Sequence, residues 1–433
     1  MGRPPLDSGL SRLVALVPST SLSASKPSSL RRSGVTFCQR FYVSAPSLHF
    51  RCVPLRSFTP FRGLSAKSLG GTFSATMSSS SSSSYEKEFA AAKKAVSLAS
   101  HLCQKVQRSI IECDVQSKAD KSPVTVADYG SQALVSLVLR LELPSQPFSL
   151  VAEEDSRDLR EEGSQGTLRR ITNLVNDTLS FDGTYNVTLS EDDVLDAIDR
   201  GKSEGGPNGQ HWVLDPIDGT KGFLRGDQYA IALAMLDKGK VVLGVLACPN
   251  LPQTSISSTN KHSSVSEIGG LFSARLGYGT VMQCLDGSKP SEVHVSTVVD
   301  PADASLFESF EAAHSMHDLS STIAEKLGVK APPVRIDSQA KYCALARGDG
   351  AIYLRFPHEG YREKIWDHAA GSIVVSEAGG VVTDAAGKEL DFSEGRYLDL
   401  NTGIICTNKK LMPQLLKAVQ DSLKGNLQTP ESL

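Results

Sequence analysis

The chain has 433 residues, of which 40% are hydrophobic and 21% are charged, and its formal net charge is −3. Ten of its 45 Lys and Arg residues, but only one of its 48 Asp and Glu residues, fall in residues 1–84, so the remainder carries about twelve net negative charges. That acidic balance argues against a nucleic-acid groove, and the remaining length exceeds a usual single core, so we expect two packed subdomains.

The first 84 residues have the composition of an organelle transit peptide. They contain 22 serines and a single acid, Asp7. We predict a disordered leader and Ser-rich linker at 1–84, directed to the chloroplast or the mitochondrion; the alternative is a disordered tail without a targeting role. Met77 precedes a serine run and could start a cytosolic form. No segment reaches the roughly 18 apolar residues of a spanning helix, so we expect no membrane partner.

Residues 85–300 are predicted to form an N-terminal α+β subdomain that carries a metal site. Apolar residues at helical or strand spacing predict helices at about 85–111 and 132–139 and strands at 148–152, 229–236, 241–247, 270–274 and 280–284. The two strands around Asp237-Lys238-Gly239-Lys240 should form a hairpin. The polar stretch 156–209 has one helical pattern, at 168–179, and we interpret it as a lid or an insertion rather than core.

Residues 301–433 are predicted to form a C-terminal α/β subdomain, because helical and strand patterns alternate there. The expected helices are 319–327, 340–346, 367–378 and 411–423, and the expected strands are 334–336, 351–354, 380–383 and 403–407.

The most informative motif is Asp215-Pro216-Ile217-Asp218-Gly219-Thr220, which follows the apolar run at 212–214. It places two carboxylates three residues apart where a buried strand enters a turn, and Gly219 allows that turn to be tight. Carboxylates and a backbone carbonyl are ligands that Mg²⁺ prefers. Taken alone, the motif fits equally well a turn in which Asp215 or Asp218 caps the next segment.

Three further acids stand in similar positions. Asp128 opens a predicted helix, Glu153 ends a predicted strand, and Asp367 begins a helix. Strand ends and helix starts are where α/β proteins place ligands. If these acids converge with the motif, two or three Mg²⁺ ions would relieve their repulsion, and a pair about 3.5–4 Å apart can grip a phosphate and acidify a water.

A family resemblance rests on these residues together. Asp128, Glu153-Glu154, the motif at 215–220 and Trp366-Asp367-His368-Ala369-Ala370-Gly371 resemble the inositol monophosphatase superfamily of lithium-sensitive, Mg²⁺-dependent phosphatases. Within it, residues 122–129, Lys221-Gly222-Phe223 and residues 337–342 are similar to plant 3'(2'),5'-bisphosphate nucleotidases. The resemblance covers nearly all of 85–425. It implies a layered αβαβα sandwich of the inositol monophosphatase and fructose-1,6-bisphosphatase type, with α/β and α+β parts.

The resemblance also implies a metal site. Glu153, Asp215 and the Ile217 carbonyl would hold one Mg²⁺, and Asp215, Asp218 and Asp367 would hold another. A third ion would be bound largely through water.

The same resemblance implies the catalytic groups. Asp128, near the third ion, would act with Thr220 to orient and deprotonate the attacking water. The amides of Gly219 and Thr220 would hold the scissile phosphate, and the ribose 3'-oxygen would leave.

For the rest of the nucleotide, the resemblance implies contacts from His314, Ser338, Lys341, Arg355 and Asp367. Lys and Arg suit a 5'-phosphate, which Arg can bind through two hydrogen bonds. Alternatives stay open for three of them: Arg355 could be a surface charge, Ser338 could cap a helix, and His317 could replace His314.

The function expected from the resemblance is removal of the 3'-phosphate of 3'-phosphoadenosine 5'-phosphate (adenosine 3',5'-bisphosphate) to give AMP, in sulfur metabolism, with action also on 3'-phosphoadenosine 5'-phosphosulfate. The alternatives are an inositol polyphosphate 1-phosphatase and, without catalysis, a phosphonucleotide sensor. Six cysteines follow the leader, and we expect reduced, buried thiols, with a redox-sensitive pair of Cys103 and Cys113 as the alternative. The sequence does not specify an oligomeric state.

Overall fold

The computed structural model describes residues 84–108, 115–117, 123–256, 268–285, 287–311, 315–358, 360–400 and 402–426. The predicted leader up to residue 83, Cys113 and His314 lie outside the described residues. The helices are α1 (Glu86–Arg108), α2 (Val126–Glu142), α3 (Gln165–Asp182), α4 (Glu191–Asp199), α5 (Thr220–Arg225), α6 (His317–Leu327), α7 (Ala340–Ala346), α8 (Ala369–Glu377) and α9 (Met412–Asn426).

The strands are β1 (Val115–Ser117), β2 (Pro123–Thr125), β3 (Leu150–Ala152), β4 (Gln210–Asp218), β5 (Ala230–Asp237), β6 (Lys240–Pro252), β7 (Ile268–Arg275), β8 (Thr280–Cys284), β9 (Ser291–Val293), β10 (Leu306–Ser309), β11 (Val334–Ile336), β12 (Ile352–Arg355), β13 (Glu363–Lys364), β14 (Gly380–Asp384), β15 (Tyr397–Leu398) and β16 (Ile404–Asn408).

The larger sheet contains β3 to β9 in sequence order. Strands β3 and β4 are parallel, and every other neighbouring pair is antiparallel. Lys238 and Gly239 connect β5 to β6 with φ values of 52° and 74°, as a two-residue hairpin of matching twist requires. The predicted hairpin and the strands predicted at 270–274 and 280–284 are confirmed.

Helices cover both faces of this sheet. On one face, helices α1 to α4 enclose side chains such as Leu214 and Leu233. On the other face, α7 and α8 pack against Val213 and Ala234, which are the neighbouring strand positions. Because successive side chains of a strand point to opposite faces, the central strands are apolar on both sides, as a sheet between two helical layers requires.

The smaller sheet has the order β11-β10-β12-β16-β14, and its first three strands are parallel. Phe307 and Tyr353 on one face join the core that contains α7 and α8. Leu306 and Ile352 on the other face pack against α6 and α9. Two sheets alternating with three helical layers make an αβαβα sandwich, so the predicted fold is confirmed. The subdomain boundary near residue 300 stays a prediction.

The interpretation of 156–209 as a lid or an insertion is wrong. Two helices, α3 and α4, form there and bury Ile171, Val175 and Ile198 in the same core as α1 and α2. Ser190 and Asp193 form a capping box that starts α4. The sequence of this segment looks polar because the outer faces of both helices are polar, and the apolar stripe that each helix buries is narrow.

Two helix starts also differ from expectation. Helix α2 begins at Val126 rather than near 132, so Asp128 lies in its first turn. The helix predicted from Asp367 begins at Ala369, because Ile365–Asp367 forms a 3₁₀ turn. Within the described residues, none of the helices combines the length and the apolar character needed to cross a membrane.

The described cysteines carry free thiols. Cys103, Cys248, Cys343 and Cys406 are buried, and Cys284 is half-buried. Burial raises the pKa of Cys103 well above its usual range, which makes its thiolate scarce. These five residues agree with the predicted reduced thiols, whereas pairing of Cys103 with Cys113 concerns a residue outside the described part of the chain.

Candidate active site

The parallel pair β3 and β4 brings Glu153 and Asp215 together. Ala152 lies beside Leu214 in the register, so the next residue along each strand is one of these acids. Gln132 of α2 fixes this edge, because its Nε2 donates to the Glu154 carbonyl (2.6 Å) and its Oε1 accepts from the Glu154 amide (3.0 Å). Two separated acidic segments are thus held side by side by backbone pairing and one buried amide.

Side chains also hold the turn that follows Asp215. The Ile217 amide donates to Asp215 Oδ1 (3.1 Å), and the Thr220 hydroxyl donates to the Ile217 carbonyl (3.3 Å). Gly219 has φ = 86°, and a Cβ there would lie 2.9 Å from the Cβ of Ser338. Only glycine fits this position without strain, because it must adopt the left-handed region against a close neighbour.

Asp215, Asp218 and Asp367 converge in three dimensions. Each offers a carboxylate oxygen, and these oxygens all lie within 4.8 Å of one another. Burial raises the pKa of Asp215 well above its ordinary value, and the nearby carboxylates of Glu153 and Asp218 raise it further. Burial, followed by the charge of Asp218, likewise raises the pKa of Asp367. Closely spaced, mutually repelling oxygen donors, of which Asp215 is buried and the other two are half-buried, fit a hard divalent cation.

Asp128 lies close to this cluster. Its side chain is buried in the first turn of α2, and its charge contributes to the raised pKa of Asp215. Glu153, Ile217, Gly219 and Thr220 line the cleft next to the cluster, whereas Asp128 is outside the set of lining residues that the structure describes. The acids predicted from separate parts of the sequence are therefore brought to one place.

The acids share a cleft of about 490 Å³ with Ser338, Lys341 and Arg355. Lys341 is buried, and its Nζ donates to the carbonyls of Ile336 (3.0 Å) and Ser338 (2.8 Å). Burial lowers the pKa of Lys341 to about 8, although the charge of Asp218 opposes that shift. A buried ammonium whose hydrogen bonds go to neutral carbonyls retains its attraction for an anion.

Arg355 is not a surface charge, so that alternative is wrong. Its side chain is 12% exposed, and its Nε and Nη2 donate to the two oxygens of Glu363 at 2.7 and 3.0 Å. His368 Nε2 also contacts Glu363 (3.0 Å), and its Nδ1 contacts the Tyr342 hydroxyl (2.9 Å). Burial raises the pKa of Glu363, but Arg355 and His368 reverse this and bring it to about 2.

This network bears on a second group of potential metal ligands, Glu363, Asp367 and His368. Both oxygens of Glu363 already bind Arg355, and one of them also contacts His368. These residues therefore fit an ion-pair network better than a metal site.

Ser338 and His317, which carry two of the open alternatives, can each be located relative to the cleft. Ser338 has φ = 64°, and its Oγ accepts from the amide of Ala340, the first residue of α7 (3.1 Å). The N-cap residue itself is Gln339, and Ser338 also lines the cleft. The ring of His317 contacts the Ser309 carbonyl (2.9 Å) and is outside the described lining residues. His314 lies outside the described residues.

Gln339 and Glu363 were given no role from the sequence. The Gln339 amide donates to Asp218 Oδ2, and its side chain bridges the Trp366 carbonyl (2.8 Å) and the Gly371 amide (3.0 Å). It thus ties two of the acidic segments together. Neither role has a signal in the sequence, because both depend on contacts that tertiary packing creates.

Comparison with known proteins agrees with this geometry. The inositol monophosphatase family model matches residues 120–424. The chain is 74% identical over 342 residues to "3'(2'),5'-bisphosphate nucleotidase 1" of Arabidopsis thaliana, covering 78% of this chain and 97% of that protein. It is 66% identical over 358 residues to "3'(2'),5'-bisphosphate nucleotidase" of Oryza sativa, covering 82% of this chain and all of that protein.

Among solved structures, the extragenic suppressor protein suhB from Bartonella henselae matches with a TM-score of 0.48 and 19% identity, covering 76% of this chain and 97% of that one. The family match spans most of the chain, and the plant relatives align over nearly their whole length. The chain therefore belongs to the inositol monophosphatase family, and within it groups with the plant 3'(2'),5'-bisphosphate nucleotidases.

Proposed function

We propose that this protein is a Mg²⁺-dependent phosphatase that removes the 3'-phosphate of adenosine 3',5'-bisphosphate to give AMP and phosphate, and that it also acts on 3'-phosphoadenosine 5'-phosphosulfate. One observation carries the proposal: the converging carboxylates of Asp215, Asp218 and Asp367 share a cleft with the cations of Lys341 and Arg355. The first set suits metal ions, and the second suits a further phosphate. The plant relatives are named 3'(2'),5'-bisphosphate nucleotidases, which supports a bisphosphate nucleotide as the substrate class.

The family resemblance supplies the assignment of the metal ligands, and the convergence of Asp215, Asp218 and Asp367 supports it. Glu153, Asp215 and the Ile217 carbonyl would hold one Mg²⁺, Asp215, Asp218 and Asp367 would hold a second, and a third would be bound mainly through water near Asp128. When bound, these ions neutralise charge on the phosphate oxygens and acidify the attacking water.

The chain's own groups position the reactants. The Thr220 hydroxyl, anchored at the Ile217 carbonyl, and the buried Asp128 carboxylate orient the water and accept its proton. The amides of Gly219 and Thr220 hold the scissile phosphate. Water then attacks phosphorus in line, and the ribose 3'-oxygen leaves from the opposite side.

The rest of the nucleotide is assigned to the other part of the cleft. Lys341 and Arg355 bind the 5'-phosphate, and Ser338 contributes its hydroxyl. Glu363 occupies Nε and Nη2 of Arg355, so we assign the remaining donors of the guanidinium, on Nη1, to the ligand. His314 and Asp367 are assigned to substrate contacts on the family resemblance.

The test is release of phosphate by the purified full-length chain. We expect Mg²⁺-dependent hydrolysis of adenosine 3',5'-bisphosphate that is abolished by a chelator, and absence of release would contradict the proposal. Asp218→Ala should lower kcat by about a thousandfold or more, because it removes a metal ligand. The matched control is Asp227→Ala, since Asp227 is an exposed partner of Arg225 and should leave kcat nearly unchanged.

The same assay separates the alternatives. A higher kcat/KM on an inositol bisphosphate than on the adenosine bisphosphate would identify an inositol polyphosphate 1-phosphatase. Tight binding without turnover would identify a phosphonucleotide sensor, a role that would not require Asp128 and Thr220.

For residues 1–84 we keep the proposal of a transit peptide to the chloroplast or the mitochondrion, with Met77 as the start of a cytosolic form. Imaging of a fluorescent protein fused after residue 84, with and without the Met77→Leu change, tests both parts. Cytosolic fluorescence from both fusions would contradict the targeting proposal.

A further inference from the structure

Ser309 lines the cleft together with Lys341 and Arg355, the residues proposed to bind the 5'-phosphate. It is the last residue of β10 and pairs with Ile336, the last residue of the parallel strand β11. On the other side of β10, Phe307 pairs with Tyr353 of the parallel strand β12. Ser309 lies two residues after Phe307, and Arg355 lies two residues after Tyr353, so Ser309 is level with Arg355. Three parallel strands therefore end together at this edge, which is where α/β sheets bind ligands.

Within the described residues, the Ser309 hydroxyl is buried and has no hydrogen-bond partner. The residue is 2% exposed and lines the cleft, and its Oγ has no hydrogen-bond partner among the residues that the structure describes. Its backbone is fixed, because the ring of His317 contacts its carbonyl. Buried hydroxyls almost always have a hydrogen-bond partner in folded proteins, either a protein group or an ordered water. A fixed hydroxyl of a cleft-lining residue that has no partner among the described residues is therefore available to a ligand in that cleft.

The charges around Ser309 specify the kind of ligand. Lys341 Nζ donates to the carbonyl of Ile336, the residue paired with Ser309, and to the carbonyl of Ser338. These two bonds leave the third ammonium hydrogen for a ligand. On the opposite side stands Arg355, whose charge is shared with Glu363. A hydroxyl between an ammonium and a guanidinium is placed to donate to an anionic oxygen.

We propose that Ser309 is a specificity-determining residue whose hydroxyl donates a hydrogen bond to the non-scissile phosphate of the substrate, between Lys341 and Arg355. This inference rests on the proposed function and extends it, since it names a side chain that distinguishes a bisphosphate from a monophosphate. Ser309 contacts the distal phosphate and takes no part in the attack on the scissile one.

The experiment compares two substrates that share the scissile bond, adenosine 3',5'-bisphosphate and adenosine 3'-monophosphate, in full-length wild type and Ser309→Ala. A hydrogen bond to a charged group corresponds to roughly tenfold in affinity. We therefore expect Ser309→Ala to raise KM for the bisphosphate about tenfold, with kcat within twofold. With the monophosphate, both constants should stay within twofold of the wild type.

A matched control is Ser320→Ala. Ser320 on α6 is another buried serine whose hydroxyl is unpartnered among the described residues, but it is outside the described cleft lining. Its replacement should leave the constants for both substrates unchanged. Ser309→Thr keeps a hydroxyl and should retain most of the preference for the bisphosphate.

Product inhibition gives a second measurement on the same variants. AMP retains the 5'-phosphate, so Ser309→Ala should weaken inhibition by AMP about tenfold and leave inhibition by inorganic phosphate unchanged.

The outcomes separate the two proposals. A wild type that does not prefer the bisphosphate overturns the proposed function. If the wild type does prefer it, but Ser309→Ala keeps that preference or slows both substrates equally, the inference about Ser309 alone is overturned. Equal losses in Ser309→Ala and Ser309→Thr would also overturn it, because side-chain volume would then determine KM.

Discussion

Arg355 and Glu363 form a buried ion pair through two hydrogen bonds, Nε to Oε1 at 2.7 Å and Nη2 to Oε2 at 3.0 Å. Removal of one partner leaves the other as an uncompensated buried charge, which typically costs about 3–5 kcal/mol. We expect Glu363→Ala to lower the free energy of unfolding by about that amount, and to raise KM for the bisphosphate more than it lowers kcat. Denaturant unfolding and steady-state kinetics measure the two effects.

The adjacent pair of Arg362 and Asp399 provides the control, because its two side chains are 58% and 65% exposed. Asp399→Ala should change the free energy of unfolding by no more than about 1 kcal/mol, as for other exposed ion pairs. If Glu363→Ala and Asp399→Ala lower the free energy of unfolding equally, the ion pair of Arg355 and Glu363 does not have the stabilising role assigned to it.

The buried acids make the metal-free protein less stable than it would be without them. Burial and neighbouring carboxylates raise the pKa of Asp215, so its ionised form is disfavoured until a cation binds. Asp215→Asn keeps an oxygen for the Ile217 amide but removes the charge. We expect it to raise the melting temperature in chelator, abolish stabilisation by Mg²⁺, and lower kcat by about a thousandfold or more.

Thermal unfolding with and without Mg²⁺ measures this prediction. Asp227→Asn, at an exposed site, should respond to Mg²⁺ as the wild type does. A Mg²⁺-induced shift of normal size in Asp215→Asn would argue against Asp215 as a ligand.

The sequence predicted those site residues whose positions follow from a local pattern of apolar residues. Glu153 and Asp215 each follow an apolar run, and parallel pairing of those runs places the two acids together. In contrast, Glu363 lies in the short strand β13, which pairs with β15, and it meets Arg355 of β12 through side chains alone. Such contacts depend on tertiary packing rather than on periodicity, so composition and spacing could not reveal them.

The turn at Gly219 should tolerate no side chain. Gly219 and Gly226 flank α5 with φ values of 86° and 75°, but a Cβ at Gly219 meets Ser338 at 2.9 Å, whereas nothing lies within 4 Å of one at Gly226. Gly226→Ala should therefore cost about 1–2 kcal/mol for the left-handed backbone alone. Gly219→Ala should cost more and lower kcat, because Ser338 and the turn that carries Asp218 must shift.

Denaturant unfolding gives the free energy of unfolding of each variant. The difference between the two costs is the cost of the contact with Ser338, separate from the cost of the left-handed backbone. Equal costs, together with normal turnover in Gly219→Ala, would show that the approach of Ser338 does not constrain this turn.

Lys341 should give the enzyme a pH dependence of substrate binding. Burial lowers its pKa from 10.5 to about 8 in the folded chain, so the cation that attracts the 5'-phosphate is lost as the pH rises through about 8. We expect KM for the bisphosphate to rise above that pH, and KM for adenosine 3'-monophosphate to change much less. Lys341→Met should have a high KM for the bisphosphate at every pH.

The stability of the metal-free protein should increase over the pH range in which binding of the bisphosphate weakens. Between about pH 8 and pH 10.5 the unfolded chain binds the Lys341 proton and the folded chain does not, so this group makes stability rise with pH, by at most about 1.4 kcal/mol per pH unit. Below about pH 8 the cost of burying the ammonium is fully present. Lys341→Met removes that cost, so its stability advantage over the wild type should shrink from pH 7.5 to pH 9.5 in denaturant unfolding. A constant difference across that range would mean that Lys341 titrates near its ordinary pKa.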